Sequence, residues 1–275
     1  MAAPELHANT GAHAWLNTLI QQSRSARLNH LDIVINASRM DYSLPERLQA
    51  LPVPPQLVRL LDQTPEAAIA HRGPMLVRVD LSNHEQRAWL VECVAQLYHQ
   101  HRLLAINSSW SFDNLAAHLR HSTQAEWNKG KSTGLLRYYD TRLFLATCET
   151  LDAGQSKWFH APVITWHWID RDGKPAQYDG NATPEYDSAL PLLRLSNVQV
   201  AALMAWTMAE MLRSDYGLQP EQYAQINREG LMRHLTHAQL AADRAGHFDE
   251  SRDAFVFDWL DEHSATAPPR TTFST

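Results

Sequence analysis

Apolar runs of strand length alternate with helical patterns between residues 31 and 170, and this alternation restricts the chain to few folds. The run LDIVINAS at 31–38 is typical of a buried strand, and PMLVRVDL at 74–81 of a second. A helical pattern over about 84–101 separates the second run from LLAINSS at 103–109. The sequence therefore predicts an α/β fold, a mixed or mostly parallel sheet flanked by helices.

The remaining elements of this region follow from the same periodicities. The predicted helices are 12–24, a short helix opened by Ser43, a helix that begins after Ser111, and TRLFLATCETL at 141–151. The further predicted strands are AAIA at 67–70, LLRYY at 135–139 and VITWHWID at 163–170.

Composition changes after residue 173, where glycine and proline become frequent among polar residues. This change predicts that an α/β domain over 1–173 is followed by a helical lobe. The predicted later segments are a linker or extended excursion at 174–195, a helical lobe at 196–264 with helices at about 196–214, 220–244 and 248–264, and a flexible tail at 265–275.

Charge and cysteine content exclude several classes of protein. The formal net charge is −6 and the chain has no basic run, which argues against nucleic acid or an anionic membrane as the partner. The N-terminal residues do not resemble a secretory signal, and the weakly polar segment 198–209 is too short to cross a bilayer. Cys93 and Cys148 form no C-x-x-C pattern. We expect a cytoplasmic protein.

No recognisable pattern of catalytic or cofactor-binding residues occurs. The histidine pairs that share close spacing are His99 with His101, His118 with His121, and His234 with His237. Two ligands do not make a metal site, and no H-E-x-x-H pattern supplies more. A G-x-S-x-G elbow and glycine-rich phosphate loops are also missing, and Cys148 is most simply a small packing residue. The sequence predicts no metal, no cofactor and no catalytic residue.

The stretch GLLRYYDTRLF at 134–144 concentrates polar groups between two apolar runs. Strand alternation places Arg137 and Tyr139 on one face. Asp140 stands where the strand ends and a helix begins, so its carboxylate is expected to cap that helix. Arg142 lies inside the first helical turn and needs an acceptor, for which Asp80 is a candidate.

Two interpretations of this cluster remain open. The first is a structural joint, in which the arginines brace the carboxylate and Arg78 and Asp80 of the earlier strand contribute. The second is a binding site for an anion or substrate, because perturbed charges concentrate at functional positions.

The order of elements around this motif resembles the effector adaptors, or chaperones, of bacterial type VI secretion. That family carries a motif close to L-L-R-[FY]-Y-D-P-R-[VL], which residues 135–143 match except that Thr141 replaces proline. The resemblance spans roughly 31–173, and the chain has INAS where family members commonly show an aspartate after the first strand.

This resemblance implies a non-catalytic protein that binds a toxic effector in the cytoplasm and helps load it onto the VgrG spike, with or without a PAAR-type tip. A folded chain without recognisable catalytic residues agrees with a binding module. The rival interpretations are a small hydrolase that uses a histidine and carboxylate pair, and an immunity protein that neutralises a toxin.

Two helices of the C-terminal lobe are candidate surfaces for the effector. The helix NVQVAALMAWTMAEML at 197–212 is apolar nearly all round, and the segment DAFVFDWLDEH at 253–263 is amphipathic. The candidate contact residues are Met204, Trp206, Met208, Met211, Phe255, Phe257 and Trp259. The alternative is that both helices are buried within their own lobe, although methionine packs well against varied ligands.

Overall fold

A computed structural model of the chain describes residues 3–185 and 192–264, with side chains from residue 10 onward. The chain divides into two compact units, the first ending at Leu195 and the second beginning at Ser196. Within the described ranges, no helix has the length and apolar character that a bilayer crossing requires.

The first unit contains six helices and nine strands among its described residues. The helices are α1 (Ala3–Ser25), α2 (Leu44–Gln49), α3 (His84–Leu97), α4 (Phe112–Ser122), α5 (Thr141–Thr150) and α6 (Ala153–Phe159). The strands are β1 (His30–Asn36), β2 (Gln56–Arg59), β3 (Pro74–Asp80), β4 (Leu103–Asn107), β5 (Gln124–Trp127), β6 (Ser132–Leu135), β7 (Thr165–Ile169), β8 (Pro175–Asp179) and β9 (Leu193–Arg194).

Six of these strands form one sheet in the order β2-β3-β1-β4-β7-β8. Every pair in this sheet is antiparallel. A smaller sheet has the order β6-β5-β9, in which β5 pairs antiparallel with β6 and parallel with β9. The predicted α/β class, with helices flanking the sheet and a helical C-terminal region, is confirmed.

The large sheet is entirely antiparallel rather than mixed or mostly parallel, and the position of β1 explains why. The connection β3-α3-β4 joins two strands that run in the same direction, as a strand–helix–strand pattern predicts. However, β1 lies between them and is antiparallel to both. The alternation of elements along the chain is correct, but it carries no information about a strand that is inserted from earlier in the sequence.

Alternation along β1 separates the two faces of the large sheet. Leu31, Ile33 and Ile35 belong to an apolar core that includes Leu19 of α1 and Leu90 of α3. Since α1 contacts α3 and β1, this face is closed by two helices. Complete burial of a Leu or Ile side chain stabilises the fold by about 1.5–3 kcal/mol, so this core accounts for much of the unit's cohesion.

Three segments of the first unit differ from the sequence predictions. Residues 67–70 lie in a 3₁₀ helix, Ala67–Arg72, because this alanine-rich segment is mostly exposed and lacks a strand partner. The chain leaves β6 after Leu135, so the predicted strand 135–139 is too long. The segment expected to be a linker contains β8, which pairs along its whole length with β7 and forms an edge of the large sheet.

The second unit consists of α7 (Asn197–Tyr216), a 3₁₀ helix (Pro220–Tyr223), α8 (Arg228–Ala245) and α9 (Ser251–His263). Helix α8 packs against both α7 and α9. The single helix predicted at 220–244 is interrupted: Ala224 has φ of 53°, and Asn227 caps a new helix by accepting the Gly230 N–H at 2.7 Å. The predicted tail at 265–275 lies outside the described residues.

Three buried histidines lie in the first unit. His167 of β7 bonds the side chain of Asn107 at 3.0 Å, and Asn107 donates to Ser23 of α1 at 2.7 Å. His160 accepts the Trp166 indole N–H at 2.9 Å, and His118 bonds the Phe159 carbonyl at 3.2 Å. Burial lowers the pKa of His118, His160 and His167 to about 4 in each case.

These histidines predict loss of stability in mild acid. The unfolded chain has histidine pKa values near 6.5, so it binds more protons than the folded chain between about pH 6.5 and pH 4. The free energy of unfolding should therefore fall as the pH decreases through this interval, which urea titrations at four pH values would measure. Replacing His167→Gln should reduce the slope, whereas His84→Gln, at an exposed position, should not. Equal slopes in all three proteins would contradict this assignment.

Candidate binding site

The motif at residues 135–142 folds as a turn that joins the small sheet to α5. β6 ends at Leu135, and the Leu136 N–H donates to the Thr123 carbonyl at 2.7 Å. Residues 136–139 form the turn, and α5 begins at Thr141. Tyr138 and Tyr139 are both buried, so the two sides of this segment do not alternate as a strand would. The predicted sharing of one strand face by Arg137 and Tyr139 is therefore wrong.

Asp140 is the N-cap of α5, as predicted. Its Oδ1 accepts the backbone N–H of Arg142 at 3.2 Å, and it also accepts Nε of the same arginine at 2.9 Å. Its Oδ2 accepts Nη2 of Arg142 at 2.7 Å and Nη2 of Arg137 at 3.1 Å. One carboxylate thus both caps a helix and binds two guanidinium groups.

The electrostatics of this joint follow from its burial. Asp140 is only 2% exposed, and burial by itself raises the pKa of its carboxyl group. The hydrogen bond and charge of Arg142, with the charge of Arg137, outweigh burial, and the pKa of Asp140 is lowered overall. The carboxylate is therefore ionised at neutral pH, and its acceptor positions are used within the joint.

Neighbouring residues hold the joint in place. Arg171 donates to the carbonyl of Arg142. The Tyr138 hydroxyl donates to the Leu119 carbonyl at 3.0 Å, and its ring makes an edge contact with Phe159 at a centroid distance of 5.3 Å. Phe144 of α5 lies 5.1 Å from the ring of Trp166, so the start of this helix is fastened to β7 by aromatic packing.

Asp80 is not the partner of Arg142, contrary to the sequence prediction. Its Oδ1 accepts the backbone N–H of Ser82 at 2.8 Å and the Ser82 hydroxyl at 2.6 Å. Asp80 is an exposed residue at the end of β3 that orders the turn before α3. Arg142 instead binds Asp140, which is the cap of its own helix and lies two residues earlier. The periodicities of strands and helices do not predict this geometry.

Arg78 binds a carboxylate that the sequence analysis missed. Arg78 Nε and Nη2 donate to Oδ1 and Oδ2 of Asp32 at 2.7 and 2.8 Å, and Nη2 also donates to the Trp110 carbonyl at 2.9 Å. Asp32 is fully buried in β1, directly opposite Arg78 in β3. Burial raises the pKa of Asp32, against the opposing effect of Arg78. In the sequence, the signal for this pair is an acidic residue within an otherwise apolar strand.

Among the described residues, His30 is a histidine near the Asp32 carboxylate. His30 Nε2 lies 3.6 Å from Oδ2 of Asp32 and bonds the Ser108 carbonyl at 3.0 Å. Both oxygens of Asp32 already accept bonds from Arg78. Across residues 10–185 and 192–264, no three His, Cys, Asp or Glu side chains are grouped as a metal site. The close histidines His118 and His121 instead bond the carbonyls of Phe159 and Ala117.

The candidate contact residues on α7 differ in exposure. Met204 and Met211 are each 59% exposed, and Met208 is half-buried. Trp206 is buried at 7% exposure. The two exposed methionines are seven residues apart, which places them on the same side of the helix, two turns from each other.

The candidates on α9 are half-buried against their own unit. The ring of Phe255 stacks on His247 at 4.5 Å, and the ring of Phe257 contacts Tyr216 at 5.0 Å. Trp259 stacks on His263 at 3.9 Å. These contacts favour a packing role for α9 over a free surface, so the exposed candidates are those of α7.

Comparison with known proteins gives one family match. Residues 33–157 match the model of a family described as "Domain of unknown function (DUF4123)". The matched segment runs from β1 into α6 and contains Arg137, Asp140 and Arg142, but it covers less than half of the 275 residues. Neither the curated proteins nor the solved structures contain a match to this chain.

The buried pair of Asp32 and Arg78 predicts a large effect of truncation. Arg78→Ala leaves a buried carboxylate without its partner and should lower the free energy of unfolding by about 3–5 kcal/mol. Arg47→Ala is the matched control, because Arg47 forms an exposed pair with Glu92 and should lose less than about 1 kcal/mol. Urea unfolding would measure both.

A double variant keeps this prediction testable if Arg78→Ala does not fold. Asp32→Leu combined with Arg78→Met removes both charges together and should recover most of the lost stability, because apolar replacement of a buried pair is often neutral. If Arg78→Ala costs no more than Arg47→Ala, the pair is not the constraint that we describe.

The contacts of Asp140 predict a larger loss of stability for Asp140→Ala than for Asp140→Asn. Asp140→Ala removes the cap and the partner of two arginines, and should lower the free energy of unfolding by more than about 2 kcal/mol. Asp140→Asn keeps a cap acceptor without the charge and should fall between this variant and the wild type. Asp152→Ala, which removes the exposed cap of α6, is the control and should cost about 1 kcal/mol. Equal losses at the two caps would show that the arginines add nothing.

Proposed function

We propose that this chain is a non-catalytic cytoplasmic adaptor that binds a type VI secretion effector and helps load it onto the VgrG spike. The observation that carries this proposal is the family match over residues 33–157, which includes the motif from Leu135 to Arg142. This family is generally associated with type VI secretion effector adaptors. The matched segment thus includes the motif that resembles those of type VI secretion adaptors.

The chemistry of the motif supports binding rather than turnover. The carboxylate of the joint is occupied by its neighbours: Asp140 accepts from Arg137 and Arg142, and Arg171 donates to the Arg142 carbonyl. A group that takes part in acid–base catalysis must reach a substrate, and Asp140 is nearly inaccessible. In this proposal the joint fixes the α/β unit, the protein requires no cofactor, and other surfaces contact the partner.

The exposed methionines of α7 are the proposed contact for the effector. Met204 and Met211 present flexible, polarisable side chains, which adapt to apolar partners of varied shape. Covering them by an apolar segment of the effector removes apolar surface from water and stabilises the complex. An effector segment that is unstable alone would be stabilised by mass action when it binds.

Co-expression tests this proposal directly. The chain would be produced with the product of the adjacent candidate effector gene and with the spike protein, and complexes would be measured by size-exclusion chromatography with light scattering. We expect a stable complex with the effector. The combined replacement of Met204→Asp and Met211→Asp should weaken it at least tenfold, since two charges would be placed in an apolar contact.

Val53→Asp is the control, because Val53 is 49% exposed and lies in the α/β unit. It should leave the complex intact. Failure to bind any neighbouring gene product would overturn the adaptor proposal. Unchanged effector secretion after deletion of the gene would also overturn it and would instead fit a protein that neutralises a toxin.

A further inference from the structure

A cavity of about 200 Å³ lies beside the small sheet of the first unit, apart from the joint at Asp140. Its wall includes Thr64 and Pro65 before the 3₁₀ helix, Arg120 and His121 at the end of α4, Ala125 of β5 and Thr133 of β6. Leu192 closes another side. The volume is sufficient for one amino-acid side chain, but not for a nucleotide.

Arg120 is the unusual member of this cavity. Its Nε is buried and has no hydrogen-bond partner, and no carboxylate of the described residues forms an ion pair with it. A guanidinium group is charged at every physiological pH and offers five N–H donors. A buried donor that makes no bond costs about 1–3 kcal/mol. The guanidinium group that lines the cavity therefore makes no hydrogen bond or ion pair with the described residues.

The other polar groups at the cavity complete a basic, hydrogen-bonding lining. His121 Nδ1 bonds the Ala117 carbonyl at 2.9 Å, so Nδ1 carries a proton and Nε2 is left for another contact. Thr133 adds a hydroxyl group near the rim. Glu66, which bonds two residues of the lining, does not itself line the cavity: its Oε2 accepts bonds from Thr64 at 3.1 Å and Gln124 at 2.9 Å.

These features define the chemistry of a ligand. A guanidinium group pairs with a carboxylate through two parallel hydrogen bonds, and the two terminal nitrogens of Arg120 offer donors for both of them. Pro65, Ala125 and Leu192 supply apolar walls, so the carboxylate must be attached to an aliphatic group that replaces water there. A free inorganic anion would leave these walls uncovered.

We propose that this cavity binds a carboxylate carried on a short aliphatic group of a peptide segment, either an acidic side chain or a chain-terminal carboxylate. The identification of that segment as part of an effector rests on the proposed function, whereas the chemistry of the cavity does not. The carboxylate pairs with Arg120, and the aliphatic part lies against Pro65 and Leu192.

Small probes test the cavity on the full chain without any effector. N-acetylleucine carries a terminal carboxylate, and N-acetylglutamic acid α-amide carries a side-chain carboxylate. N-acetylleucinamide is the uncharged control. In a ¹H–¹⁵N titration of the protein, at least one of the two acids should produce saturable shifts of the Gln124 and Thr133 amides, and the uncharged amide should not. The acid that binds more tightly identifies the source of the carboxylate.

Arg120→Gln should weaken binding of that acid at least tenfold, since the neutral amide cannot form the charged pair. Arg39→Gln is the matched control at an exposed arginine outside the cavity, and it should bind normally. Thr133→Val provides a second variant if Arg120→Gln perturbs the fold, with a threefold or larger loss expected. Shifts that do not saturate, or that persist unchanged in Arg120→Gln, would overturn the proposal even if the effector complex forms.

Discussion

The fully buried carboxylate of Asp32 is the constraint around which the large sheet is organised. Removing a charge from water is costly unless its partners are well placed, and here the partner is the residue directly opposite in β3, Arg78. Nη2 of Arg78 also donates to the Trp110 carbonyl, and the guanidinium carbon Cζ lies 5.7 Å from the centroid of the Phe112 ring. A shift of one residue in the strand register would place Asp32 among the apolar residues of the opposite face, so the pair selects a single register.

Asp140 is also a buried carboxylate that binds arginine, but its burial costs less free energy. Both carboxylates are buried and both bind arginine, yet burial raises the pKa of Asp32 whereas the pKa of Asp140 is lowered. The difference follows from the surroundings: Asp140 has two arginines and a backbone N–H of α5, and the side chains of Arg137 and Arg142 remain 48% and 35% exposed. Water therefore solvates part of the second cluster, and only the first depends entirely on protein groups.

Local signals in the sequence were sufficient where the structure follows a periodic or capping pattern. The cap at Asp140, the helix α5 and the strands β1, β3 and β4 follow from periodicity and capping rules. The direction of neighbouring strands does not follow from these rules, because β1 lies in the sheet between β3 and β4, which both come after it in the sequence. The partner of Arg142 was also missed, since a cap that binds a side chain two residues later has no periodic signature. Long-range strand pairing decided the first error, and a contact between residues two positions apart decided the second.

Asp32 and Asp140 are bound by arginines of their own unit. Two other features, which differ in chemistry, are available to recognise a partner. The exposed methionines of α7 tolerate many apolar surfaces and so contribute affinity with little discrimination. The cavity at Arg120 has the opposite character: a segment without a carboxylate fills it but covers the guanidinium group without supplying an acceptor, at a cost of about 1–3 kcal/mol. That penalty corresponds to a preference of roughly 5- to 140-fold between otherwise equal partners. An adaptor that must choose one effector needs such a penalty, because attraction to methionine alone does not reject the wrong partner.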